Sequence, residues 1–157
     1  MGITRERAVR SAVAALVLPH ELGHVLLAWL FRLETEVSVL PSWEGEAVPL
    51  ARVNATLSAD TPTPLIRAVA VAPLPLALAA AWGLGGVLPP GSPLVVPALF
   101  ALSFWGSLSS GDLAIAARPR FAREQGEFLA PKSPGVVTAA VSLTPLTVVA
   151  VGTLLLR

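Results

Sequence analysis

Between Arg67 and Asp112 the chain runs through 44 consecutive residues without a charged side chain, and Ser133 to Leu156 adds another 24. A helix needs about 20 apolar residues to cross the hydrocarbon core of a bilayer, so the longer run is two crossings and the shorter is one. Leu88-Pro89-Pro90-Gly91-Ser92-Pro93 is the natural turn between the two. A fourth crossing is Ser11 to Phe31, SAVAALVLPHELGHVLLAWLF, 21 residues with three titratable side chains. The pattern predicts an all-α polytopic membrane protein with about four transmembrane helices. They fall at about 8–31, 64–87, 93–117 and 134–156, in a single integral membrane domain over 1–157.

Composition agrees. The chain is 54% hydrophobic and 13% charged, with mean hydropathy +0.72, whereas soluble domains carry about 25% charge. A net charge of +1, with no basic cluster interleaved with aromatics, gives no footing for nucleic acid. The absence of cysteine excludes disulfides, iron–sulfur clusters, thiolate metal sites and cysteine nucleophiles. Residues 1–10 form a short basic lead, as in a signal peptide. The apolar run that follows is too long for one, is interrupted by histidines and a glutamate, and lacks a small-residue cleavage site, so it is expected to be retained.

The three titratable groups of the first span are His20, Glu21 and His24, in His20-Glu21-Leu22-Gly23-His24. Residues four apart on a helix are rotated by about 400°, which puts both imidazoles on one face, one turn apart. Two imidazoles so placed can reach one metal ion, and Glu21, about 100° round, can handle a water beside it. The plain alternative is a buried, mutually satisfied His/Glu cluster. A carboxylate inside a membrane costs a few kcal/mol even on lenient insertion scales, so one that persists there has a partner or a task. Pro19 removes a backbone hydrogen bond just before His20, as a simple kink or as room for an ion.

Two histidines hold zinc poorly, and a catalytic site takes a third protein ligand. Glu34, Glu36, Glu44, Glu46, Asp60, Glu124 and Glu127 lie in polar connections, where a solvated carboxylate is the ordinary state. Asp112 is the exception, the sole charge of the third span, among Ser109, Ser110 and Gly111. Both histidines and Asp112 fall in the second half of helices running the same way, at depths that differ by about 9 Å at worst, a gap that tilt can absorb. Small residues at 106–111, together with Gly23, are expected to let the first and third helices approach closely.

In the polar stretch 33–61, residues 36–40 and 51–57 alternate as two short strands, with Val53, Ala55 and Leu57 on one side. A small β-hairpin and a plain loop are both open readings. Residues 118–132 read as a linker. The connections after the first and third spans hold seven basic residues (Arg32, Arg52, Arg67, Arg118, Arg120, Arg123, Lys132), against four on the other side (Arg5, Arg7, Arg10, Arg157). Positive charge favours the cytoplasm, which places the site-bearing half of a multi-pass cell-membrane protein there.

HELGH at 20–24 in the first span, an Asp two spans later in Ser109-Ser110-Gly111-Asp112-Leu113, and short strands after the first span together resemble the site-2 protease class of intramembrane zinc metallopeptidases. The closer resemblance is to the small prokaryotic zincin peptidases of the membrane. Site-2 proteases carry their Asp in an Asn-Pro-containing segment ending in Asp-Gly, and this chain has Gly111-Asp112-Leu113 and no inserted PDZ domain. The resemblance implies that His20, His24 and Asp112 bind Zn²⁺ and that Glu21 is the general base of peptide hydrolysis. It also implies that the substrate is a membrane protein or peptide, held extended by strand addition at residues 36–40 or 51–57. A different class of reading is a metal-binding or ion- or proton-translocating bundle with no peptidase activity; a third is a non-catalytic bundle that assembles with a larger partner. Substrate identity and oligomeric state are not legible in the sequence.

Overall fold

The computed structural model describes residues 2–39 and 51–157. Among them are seven helices and two strands: α1 (Gly2–Leu30), β1 (Thr35–Val39), β2 (Ala51–Ala55), α2 (Thr63–Val71), α3 (Pro73–Gly85), α4 (Val95–Gly106), α5 (Ser110–Ala117), α6 (Pro119–Gln125) and α7 (Pro134–Leu155). Two segments are long and apolar enough to cross a membrane by themselves, Ala12–Leu30 within α1 and α7. Two further candidate spans are bent pairs: α2 with α3 at 50°, and α4 with α5 at 42°. The second and third expected helices are therefore each broken in two, a correction to the reading of 64–87 and 93–117 as single rods.

The first break falls where Pro73 withholds an N–H and its ring opposes continuation of the helix, and Ala72 bridges α2 and α3. The second falls at Ser107, which leaves helical geometry at φ −70°, ψ 121°. A new helix starts at once, with Ser109 as its N-cap: the Ser109 hydroxyl accepts from the Asp112 N–H at 3.1 Å, and the Asp112 carboxylate accepts from the Ser109 N–H at 2.7 Å. This reciprocal capping box pays for the interruption by satisfying donors that the membrane interior could not.

α1 ends in a Schellman turn, with Leu33 N–H on the Ala28 carbonyl and Arg32 N–H on that of Trp29. Arg32 takes the left-handed position, φ 58°, that glycine usually fills. The chain then forms the two-stranded antiparallel hairpin β1–β2, in the register Thr35↔Ala55 to Val39↔Ala51. That settles the choice between hairpin and loop at the strand ends; the middle of the connection, with Pro41, Glu44, Gly45, Glu46 and Pro49, lies outside the described residues.

Two apolar clusters organise the packing. One joins Ala28, Ala55, Leu57, Ile66, Val69, Ala114, Ile115, Ala122 and Phe128, drawn from α1, the hairpin, α2, α5, α6 and the segment after it. The other joins Ala81, Leu102, Val151 and Leu155 of α3, α4 and α7. At this second end Gly85 lies against the Leu154 carbonyl with no room for a β-carbon. Arg157 there donates to the Trp82 carbonyl at 2.7 Å and stacks 4.5 Å from the indole centroid.

Candidate metal centre

Each helix break leaves a carbonyl without its donor four residues on. For Val69 that donor would be residue 73, a proline. For Trp105 it would be the N–H of Ser109, which is turned to Asp112. Both carbonyls are taken up by histidines of α1: His24 Nδ1 lies 2.7 Å from the Val69 oxygen, and His20 Nδ1 lies 2.9 Å from that of Trp105. A carbonyl only accepts, so both Nδ1 atoms carry the proton. That leaves each Nε2 of the neutral rings as a bare lone pair, the form a metal ligand needs. Trp105 also donates its indole N–H to the Leu16 carbonyl at 2.9 Å, which ties α4 to α1 beside the site.

Those lone pairs meet the Asp112 carboxylate. His20 Nε2 is 3.3 Å from Asp112 Oδ2, His24 Nε2 is 3.3 Å from Oδ1, and the two Nε2 atoms are 3.3 Å apart. All three residues are buried, His24 to 2% exposure. Three acceptors converging in a buried space repel one another unless a positive charge lies among them, either a proton or a metal ion. The distances fit an ion. A charge-assisted N–H···O bond runs to about 2.7–2.9 Å, whereas ligand atoms about 2.0–2.1 Å from a tetrahedral ion are about 3.3–3.4 Å apart. His20, His24 and Asp112 form a group that could hold a metal ion, as the sequence suggested.

Glu21 is half-buried and has no hydrogen-bond partner among the described residues. With His20 it lines a cavity of about 520 Å³ between α1, α4 and α7. The other side of the site is closed by Phe128, whose ring lies edge-on to His24 with centroids 6.1 Å apart. Residues 118–132 are thus not the plain linker expected. They contain α6, and Leu57 N–H donates to the Gly126 carbonyl at 3.0 Å, which stitches this segment to the end of the hairpin.

The close approach expected of the small residues is also differently placed. Gly23 faces Pro73, and Gly106 faces Ala77 and Thr147, so these two glycines admit the second and last spans, not one another. The chain break at Ser107–Ser109 is what carries Asp112 to the histidines. The sequence did hold a signal for it, since Ser109-x-x-Asp112 is a capping-box pattern. Nothing marked Phe128, Val69 or Trp105, whose roles come from tertiary packing. Comparison with known proteins found no matching family model, no matching curated protein and no matching solved structure.

Proposed function

We propose that this chain is a site-2 protease-like intramembrane zinc metalloprotease that hydrolyses peptide bonds in membrane-embedded or membrane-proximal substrates. The observation that carries the reading is the triangle of 3.3 Å edges among His20 Nε2, His24 Nε2 and Asp112, each nitrogen oriented through its own Nδ1–H. Two imidazoles and one carboxylate are a common catalytic donor set for zinc, and they leave a fourth position open. When bound, the metal supplies Lewis acidity, bringing the pKa of a water towards 7 and polarising a carbonyl.

The chain's own residues do the rest. Glu21 is one position from His20 on the cavity wall, without a competing hydrogen bond, and there it takes the proton of the attacking water and delivers it to the leaving amine. The Val69 and Trp105 carbonyls hold the imidazoles in the ligating tautomer. Phe128 covers His24 and keeps bulk water from that side. The hairpin and residues 118–132, which carry five of the eleven basic side chains, pack at the same end as the site. The positive-inside tendency supports a cytoplasmic position for that end in a multi-pass cell-membrane protein.

The test is Glu21→Gln in detergent-purified, zinc-loaded protein. The variant keeps its metal and loses at least about a hundredfold in cleavage of an unfolded apolar peptide. Undiminished cleavage by Glu21→Gln would contradict the assignment. Changed ion affinity or proton coupling, with no hydrolysis by the wild type, would favour a carrier.

A further inference from the structure

The cavity beside Glu21 is built from three elements: Val17, His20 and Glu21 of α1, Phe100, Ser103 and Phe104 of α4 with the residues after it, and Thr144 and Val148 of α7. About 520 Å³ is within the range of small-ligand sites and far above what a water or a packing defect needs. Its walls are almost wholly apolar, with two phenyl rings. Of the cavity's polar members (His20, Glu21, Ser103, Ser107, Ser109 and Thr144), Ser103 stands apart. Its side chain is 7% exposed, and its hydroxyl is the one buried side-chain polar atom among the described residues without a hydrogen-bond partner. Ser107 and Thr144, also on the wall, spend their hydroxyls on the Ser103 and Ala140 carbonyls. Among the wall's hydroxyls that of Ser103 is the one without a partner, free to turn to a polar-tipped guest.

We infer that this cavity is the specificity pocket for a bulky aromatic side chain next to the scissile bond. In it Phe100 and Phe104 grip the ring, and the Ser103 hydroxyl ranks tyrosine above phenylalanine. The inference rests on the peptidase reading, because His20 and Glu21 form one end of the pocket and so fix its distance from the reacting carbonyl. A peptide seated with its carbonyl between those two residues sends the adjacent side chain into this space or towards lipid. The pocket is a large apolar volume beside His20 and Glu21, and ring–ring contact adds to the burial. Val148, in the pocket lining, is 40% exposed, so this wall reaches the surface of the bundle, the route by which a membrane segment would enter.

The experiment is equilibrium binding of three short peptidyl hydroxamates, bearing alanine, phenylalanine or tyrosine, to zinc-loaded protein in detergent. It reads affinity and needs no turnover. Wild type is expected to bind the phenylalanine compound at least about tenfold tighter than the alanine compound, and the tyrosine compound tighter still by a few-fold. Ser103→Ala abolishes the tyrosine advantage and leaves the phenylalanine affinity in place. Val148→Phe, which narrows the pocket from its exposed wall without loading the interior, collapses the preference for both rings and spares the alanine compound. Equal affinities for all three compounds in wild type would overturn the inference and mark the cavity as a lipid-filled groove. An unchanged tyrosine advantage in Ser103→Ala would overturn the role of Ser103. Failure of the protein to hold zinc at all would instead strike the underlying reading.

Discussion

The outer and inner candidate spans treat the same problem in opposite ways. α1 and α7 each carry an internal proline, Pro19 and Pro145, and stay helical through it. Beside Pro145 the hydroxyls of Thr144 and Thr147 bond back to the Ala140 and Leu143 carbonyls, not to that of Val141, the one the proline frees. The two inner candidate spans break outright, at Ala72 and at Ser107–Ser109, and their freed carbonyls are bound by His24 and His20. A proline in a membrane helix is therefore uninformative by itself. It becomes functional where a ligand side chain takes up the carbonyl it releases.

Pro73→Ala is the sharpest way to break that contrast. It restores an N–H at position 73 that competes with His24 for the Val69 carbonyl, and metal affinity should fall by about 10–100-fold. Pro145→Ala in α7 should leave metal affinity unchanged, and competition with a chelator reads both. Gly85→Ala strikes the far cluster instead: the new methyl meets the Leu154 carbonyl, for a destabilisation of about 2 kcal/mol in detergent unfolding with the metal retained. Ser109→Ala removes the cap of α5 and should cost about 1 kcal/mol, with a smaller loss of metal affinity than Pro73→Ala because Asp112 keeps its bond from the Ser109 N–H. The mildest change is a gain. Arg32→Gly relieves the left-handed residue after α1 and should raise the thermal midpoint by the equivalent of at most about 1 kcal/mol.

The grouping of His20, His24 and Asp112 was legible in the sequence because its signal is local or costly. His20 and His24 share a face by helical spacing alone, and Asp112 was conspicuous as a carboxylate in an apolar run. Alternation made the hairpin one of two open readings, and its bounds, Thr35–Val39 and Ala51–Ala55, lie within a residue or two of the expected strands. What escaped is the way the ligands are held. The uncharged run continues across Ser107–Ser109, so a count of apolar residues hides a break whose trace is Ser109-x-x-Asp112. Pro73 was visible, but the use of the Val69 carbonyl four residues earlier depends on a histidine 45 positions away. Phe128 sits in a segment whose composition reads as a surface, and only its stitching to Leu57 brings it over His24.

His20, His24 and Asp112 could hold a metal ion. Elemental analysis of protein purified in detergent without chelator tests this most directly, run beside His20→Ala and Asp112→Ala that keep the wild-type elution volume and helical content. Wild type is expected to carry one zinc per chain and both variants to lose it. A metal-free wild type, or full zinc occupancy in Asp112→Ala, would contradict it.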